Sequence, residues 1–194
     1  MSFPPDLAAA ISRALAALGR GEIVAYPTET SYGLAVDAQN EAALARLVAF
    51  KGRGVEKAFS VIVAGTAMIE SLCAQIPPAA QRLIDRHWPG PLTLALPARP
   101  GLPAVLVLDG CVALRDSPHP VARALVSAFG RPITATSANQ AGQPPAYTAA
   151  EVAAAFPAGC FILDGGPSPG GPPSTLVRVQ GAVVEVLRRG ALQI

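Results

Sequence analysis

The chain has 194 residues, 51% of them hydrophobic and 14% charged, with a formal net charge of +2. That length predicts one folded domain over 1–194 with a sizeable core, or at most a domain with a small extension. The charge is too small for a protein that holds nucleic acid by a general basic field, and no apolar run reaches the roughly 18 residues needed to cross a bilayer. The opening Met1-Ser2-Phe3-Pro4-Pro5-Asp6 lacks the basic region of a signal peptide, so a cytoplasmic protein is expected. Cys73, Cys111 and Cys160 are widely spaced and the only histidines are His87 and His119. Such spacing predicts free buried thiols and no zinc site.

In chain order, Asp6 can cap a helix carrying Leu7, Ile11, Leu15 and Leu18 at helical spacing. A β-like run over 23–26 stops at Pro27. A hydroxyl-rich loop over 27–33 follows, and an extended pattern resumes over 34–36. Asn40 can cap a second helix, with Leu44, Leu47 and Val48 on one face. Residues 59–63 read as a buried strand, 67–74 and 79–86 as helices, and 92–96, 105–108 and 112–114 as strands. Pro120 suits the first turn of a further helix. Residues 133–136 read as one strand. Thr148 and Glu151 form a capping box before another helix. A short strand over 161–163, a Gly/Pro loop over 165–173 and a hairpin around Gln180-Gly181 complete the chain. Alternating helices and short apolar strands predict an α/β fold, and the hairpin makes the sheet mixed: a single-domain, open, twisted mixed sheet flanked by helices.

Familiar phosphate-binding signatures are absent: neither G-x-x-x-x-G-K-[ST] nor G-x-G-x-x-G occurs. Lys51-Gly52-Arg53 ends the second helix. Two solvated cations near a helix C-terminus are one reading; a clamp for phosphate or carboxylate is the other. Lys57 is a further cation nearby. Ser137-Ala138-Asn139 ends an apolar strand, where α/β sheets bind ligands, yet the same residues suit an ordinary turn. The 27–33 loop supplies Thr30 and Tyr32. Arg115 ends another strand, Ser174 follows the glycine-rich loop, and Arg188 ends the last strand.

Taken jointly, the segments PTETSYGL, KGR, PGPLTL, VALR, TSAN-x-x-G, STLV and VLRRG resemble the YrdC/TsaC family of threonylcarbamoyl-AMP synthases, over about residues 21–191. The resemblance implies an open α/β fold around a large central cavity, without the C-terminal extension domain of long members. It implies a nucleotidyltransferase joining L-threonine, bicarbonate and ATP, with Mg²⁺ carried by the ATP phosphates and no metal site of the protein's own. The product passes to downstream transferases that modify tRNA (t6A). By resemblance, Lys51, Arg53, Ser137 and Asn139 form the catalytic set. ATP is held by these with Lys57 and Arg188, and threonine by Thr30, Tyr32, Arg115 and Ser174. Three departures stand out: Gly54 replaces a usual Pro, Ile62 replaces a histidine of many long forms, and Asp116-Ser117 replaces an apolar-Pro pair. The resemblance extends to YciO-type relatives, to an RNA-binding role with tRNA or double-stranded RNA as partner, and to enzymes that form a carbamoyl-adenylate.

Overall fold

Along three central strands, core-facing apolar side chains alternate with residues that face the other way, and this alternation organises the fold. The computed structural model describes residues 3–52, 58–140, 142–157 and 159–194. Among them, helix α1 (Pro5–Gly19) precedes β1 (Val24–Pro27), β2 (Tyr32–Ala35), α2 (Glu41–Lys51), β3 (Val61–Ile62), α3 (Thr66–Leu72), α4 (Pro78–His87) and β4 (Leu92–Pro97). A 3₁₀ turn (Ala104–Leu106) leads to β5 (Val107–Leu108), β6 (Cys111–Arg115), α5 (Pro120–Phe129), β7 (Ile133–Thr134) and β8 (Thr136–Ser137). Helix α6 (Ala149–Ala155), β9 (Phe161–Ile162), β10 (Thr175–Gln180) and β11 (Val183–Arg188) follow.

The mixed α/β reading holds, but the strands form two sheets rather than one. The smaller has the order β8-β2-β1-β9. The larger runs β11-β10-β4-β6-β3-β7, with β5 also paired to β6. Both are mixed: β1–β9, β4–β10 and β3–β6 are parallel, and the remaining pairs are antiparallel. On the large sheet, Leu92, Leu94 and Leu96 of β4, Val112 and Leu114 of β6, and Val177 and Val179 of β10 enter the main core. There they join Ile69, Leu72, Ala79 and Ala80 from α3 and α4. A second core packs α1 and α5 against the small sheet, through Ile11, Leu18, Val24, Tyr26, Val121 and Leu125.

Several local signals act as the sequence predicts. Asn40 Oδ1 accepts from Ala43 N at 3.0 Å, and α2 ends at Gly52 with a left-handed φ of 58°. Both halves of the Thr148/Glu151 capping box form. Others differ. Pro4, not Asp6, occupies the α1 cap, and Asp6 sits in the first turn, where its charge opposes the helix dipole favourably. The 59–63 strand pairs only at Val61–Ile62, and 105–108 divides into a 3₁₀ turn and β5.

The expected strand over 133–136 divides too, and with larger consequence. Ile133–Thr134 pairs with β3 in the large sheet, and Thr136–Ser137 pairs with β2 in the small one. Ala135 is the crossing point, its N–H donating to Ser60 O at 2.8 Å. Thr134 bonds both ways across the junction. Its hydroxyl donates to Leu34 O at 3.1 Å and accepts from Val36 N at 3.0 Å, while Tyr26 OH donates to Thr134 O at 3.1 Å.

Gly90, in the turn before β4, donates its N–H to Asp116 O at 2.9 Å. A Cβ there would collide with the His87 carbonyl oxygen. Gly90→Ala is therefore expected to cost about 1–3 kcal/mol through forced backbone movement and to lower the calorimetric melting midpoint by several degrees. An unchanged midpoint would show that the turn yields freely.

Candidate active site

A cavity of about 680 Å³ opens between the two sheets, within the range of small-molecule sites. Its floor is the face of the large sheet opposite the leucine-rich core. Thr93 and Ala95 of β4, Cys111, Ala113 and Arg115 of β6, and Leu176 and Arg178 of β10 all line it. These are alternate residues, so strand periodicity sends them to one face. Most are small, so the sheet is hollow where a leucine-lined face would be filled. The opposite wall brings Thr28, Thr30, Ser31, Tyr32 and Ser137, with Ser174 and Arg188 at the β10–β11 end. Thus Thr30, Tyr32, Arg115, Ser137, Ser174 and Arg188, separated widely in sequence, border one space.

Each is held in a definite way. Arg115 is buried, and its Nη1 lies 2.8 Å from Glu29 Oε1 and 3.5 Å from Thr30 Oγ1. A buried guanidinium needs such a counter-charge. Thr30 Oγ1 is also 3.1 Å from Thr28 Oγ1. Ser174 Oγ lies 2.7 Å from Thr93 Oγ1. Arg188 as a residue is exposed, yet its head turns inward and donates to Ser174 O at 2.9 Å and to Ser174 Oγ at 3.3 Å. Partial desolvation, then repulsion from Arg115, pushes the Arg188 pKa below its ordinary value. Two guanidinium groups that feel each other across a cavity favour an anion between them.

Tyr32 borders the cavity, but its hydroxyl is committed elsewhere. It donates to Gly166 O at 2.8 Å and lies 3.4 Å from Asp164 Oδ1, fastening the 165–173 loop. Burial pushes its pKa up to about 12, so it stays a neutral donor.

Lys51 is buried behind the Ser137-Ala138-Asn139 turn rather than among the side chains that border the cavity. Its Nζ donates to Ser137 O at 2.8 Å, to Asn139 O, and to Asn139 Oδ1 at 3.3 Å. Ser137 Oγ donates to the same Oδ1 at 2.5 Å, and Asn139 Nδ2 donates to Gln143 O at 2.5 Å. Of the reading as a solvated cation nothing remains: the ammonium closes a clip between α2 and β8. Arg53 and Lys57 lie outside the described residues.

Sequence reasoning did not name Arg178, Glu29 or Ser117 as site residues, although Ser117 stood out as part of a departure. Arg178 had a usable signal, because Leu176 and Arg178 share a β10 face opposite buried Thr175, Val177 and Val179. At the cavity edge Arg178 pairs with Glu185 at 2.6 Å and Asp109 at 3.6 Å. Asp116, the acid beside Arg115, turns to Arg123 on α5 at 3.0 Å. Burial raises its pKa, against the pull of Arg123. Cys73 and Cys111 are free and buried and Cys160 is half-buried; burial lifts the Cys73 thiol to about 12. Among the described residues, no helix is long and apolar enough to cross a membrane, and no group of three or more His, Cys, Asp or Glu could hold a metal.

Fold and cavity define a mixed α/β protein that gathers arginines and hydroxyls around a small-molecule site. A family profile described as "Telomere recombination" matches residues 16–190, and the chain belongs to this Sua5/YciO/YrdC family. The threonylcarbamoyl-AMP synthase of Chromohalobacter salexigens is 40% identical over 186 residues, covering 92% of this chain and 96% of that protein. The Bacillus subtilis threonylcarbamoyl-AMP synthase is 38% identical, with 94% of this chain matching 54% of that longer protein. The crystal structure of Pyrococcus abyssi Sua5 complexed with L-threonine superposes with a TM-score of 0.86 at 38% identity, covering 93% of this chain and 54% of that one. Escherichia coli YciO, 21% identical with a TM-score of 0.82 over 93% of this chain and 88% of that one, shares the fold.

Proposed function

We propose that the chain is a threonylcarbamoyl-AMP synthase, a nucleotidyltransferase that forms threonylcarbamoyl-AMP and pyrophosphate from L-threonine, bicarbonate and ATP for tRNA t6A modification. The observation that carries this reading is the convergence of Arg115, Thr30, Ser174, Arg188 and Ser137 on one cavity. Its relatives' names and the threonine complex of Pyrococcus abyssi Sua5 support the choice of substrate.

The reaction joins the threonine nitrogen to the bicarbonate carbon, with loss of water and a proton. An oxygen of the resulting carbamate then attacks the α-phosphorus, and the bond to the bridging oxygen breaks to release pyrophosphate. Carboxylate, carbamate and triphosphate must approach one another, so charge neutralisation and alignment dominate the barrier. Arg115 would grip the threonine carboxylate, with Thr30 and Ser174 beside it. Arg188 would meet phosphate, with Arg53 and Lys57 assigned to ATP by resemblance. Ser137 and Asn139, fixed by Lys51, would set the geometry of the reacting oxygens. Mg²⁺ enters with ATP as part of that substrate. The product would pass in the cytoplasm to the transferases that load tRNA.

The test combines purified protein with ATP, Mg²⁺, bicarbonate and L-threonine, following pyrophosphate and threonylcarbamoyl-AMP. Threonine-dependent release of both is the expected result. Release that ignores threonine, or none at all, would remove the proposal.

A further inference from the structure

We infer that Ser117 and Glu29 are positioning residues that aim Arg115 at the amino-acid carboxylate from behind the cavity wall. The inference rests on the function proposed above. Thr28 and Thr30 border the cavity, but Glu29 between them does not; its carboxylate points into the protein, where its side chain is 13% exposed. One oxygen, Oε1, lies 2.8 Å from Arg115 Nη1. The other, Oε2, accepts a short hydrogen bond from Ser117 Oγ. Ser117 is fully buried. Its Oγ also accepts from His119 N at 3.2 Å. A backbone N–H can only donate, so the proton of the Ser117 hydroxyl is left for Glu29. The hydrogen bonds from His119 N–H to the Ser117 hydroxyl and from that hydroxyl to the Glu29 carboxylate therefore have one direction, and the carboxylate meets the Arg115 guanidinium as an ion pair.

The neighbouring charges do not compete for Arg115. Asp116 is drawn off by Arg123 at 3.0 Å. His119 is kept neutral more readily than usual by burial, although Glu29 opposes this. The arriving threonine carboxylate must share Arg115 with Glu29. Glu29 Oε1 is buried and meets Arg115 as an ion pair, without a hydrogen bond. Removing the Ser117 hydroxyl would take away the hydrogen bond at the other oxygen as well, and Glu29 would turn further onto Arg115, drawing it from the substrate. This also gives the Asp116-Ser117 departure a physical role: each residue disposes of one charge near the amino-acid end.

The experiment measures steady-state KM for L-threonine and for ATP in wild type, Ser117→Ala, Ser117→Cys, Glu29→Gln and the Ser117→Ala/Glu29→Gln double variant. Ser117→Ala is expected to raise the threonine KM at least fivefold while the ATP KM stays within twofold. Ser117→Cys, with a weaker donor of similar size, should fall between. Because Ser117 acts through Glu29, the double variant should be no worse than Glu29→Gln alone. Wild-type threonine KM in Ser117→Ala, or independent effects that multiply in the double variant, would overturn the inference alone. If Ser117→Ala does not fold, Glu29→Gln carries the test: a wild-type threonine KM there is equally fatal. A wild type without threonine-dependent turnover overturns the proposed function and this inference with it.

Discussion

Lys51→Ala is expected to lower threonine-dependent pyrophosphate release by at least tenfold, a loss of about 1.4 kcal/mol or more of transition-state stabilisation. The ammonium meets two carbonyl oxygens and one amide oxygen of the Ser137–Asn139 turn. Alanine would remove the ammonium's hydrogen bond to Ser137 O and would free Asn139 Oδ1 from a donor that it now shares with Ser137 Oγ. A part-buried acceptor that loses a charged donor costs up to about 1–3 kcal/mol. Ser137 and Asn139 would then lose the contact that fixes their turn beside the cavity. Lys51→Arg separates the charge from the contact. It keeps the charge, but its planar fork does not reproduce a compact ammonium among three oxygens, so most of the loss should remain. Kinetics checked against melting midpoints decide the matter. Wild-type turnover in Lys51→Ala would refute the role given to the clip.

Arg115→Met is expected to have the larger effect on threonine itself, with kcat/KM for threonine falling about a hundredfold, equivalent to ~2.7 kcal/mol. Methionine keeps much of the bulk but can bind no carboxylate. It would also strand Glu29, and breaking a buried ion pair from one side typically costs about 3–5 kcal/mol. Lower stability is therefore expected together with lower activity. Adding Glu29→Gln should recover much of the stability, because the stranded charge is gone, while threonine use stays lost. Calorimetry and kinetics on the single and double variants test both halves. Recovery of activity along with stability would show that Arg115 serves only the fold.

The parts of this protein legible in the sequence are those set by near neighbours. Asn40, Thr148 and Pro120 mark helix starts because capping is decided within one turn. The hairpin β10–β11 likewise follows from a short local pattern. The division of 133–136 between two sheets was not legible, since Ile133 and Thr136 differ only in partners far along the chain. The same limit applies at the site. Arg115 could be named from its strand end, but its partner Glu29 lies 86 residues earlier and reads locally as one more polar loop residue. Ser117 looked like a departure from a pattern; only its contact with Glu29 gives it a task. Lys51 could be named as a residue of interest from its place beside Gly52 at a helix end. Its burial among carbonyl oxygens depended on the fold bringing Ser137 and Asn139 across to α2.

The single-residue crossing at Ala135 has a mechanical consequence. The floor and the opposite wall of the cavity are spliced together there by one residue, two peptide steps of about 3.8 Å each between successive Cα atoms. Thr134 hydrogen bonds reinforce the splice from both sides. At that end the backbone beyond β2 adds further ties, Thr134 N to Val36 O and Ala38 N to Pro132 O, both at 3.0 Å, so the two sheets are pinned together there. The consequence is a cavity pinned at its Ala135 end and bordered elsewhere by Gly171, Pro173, Ser174 and the end of β11, which carry no such splice among these contacts.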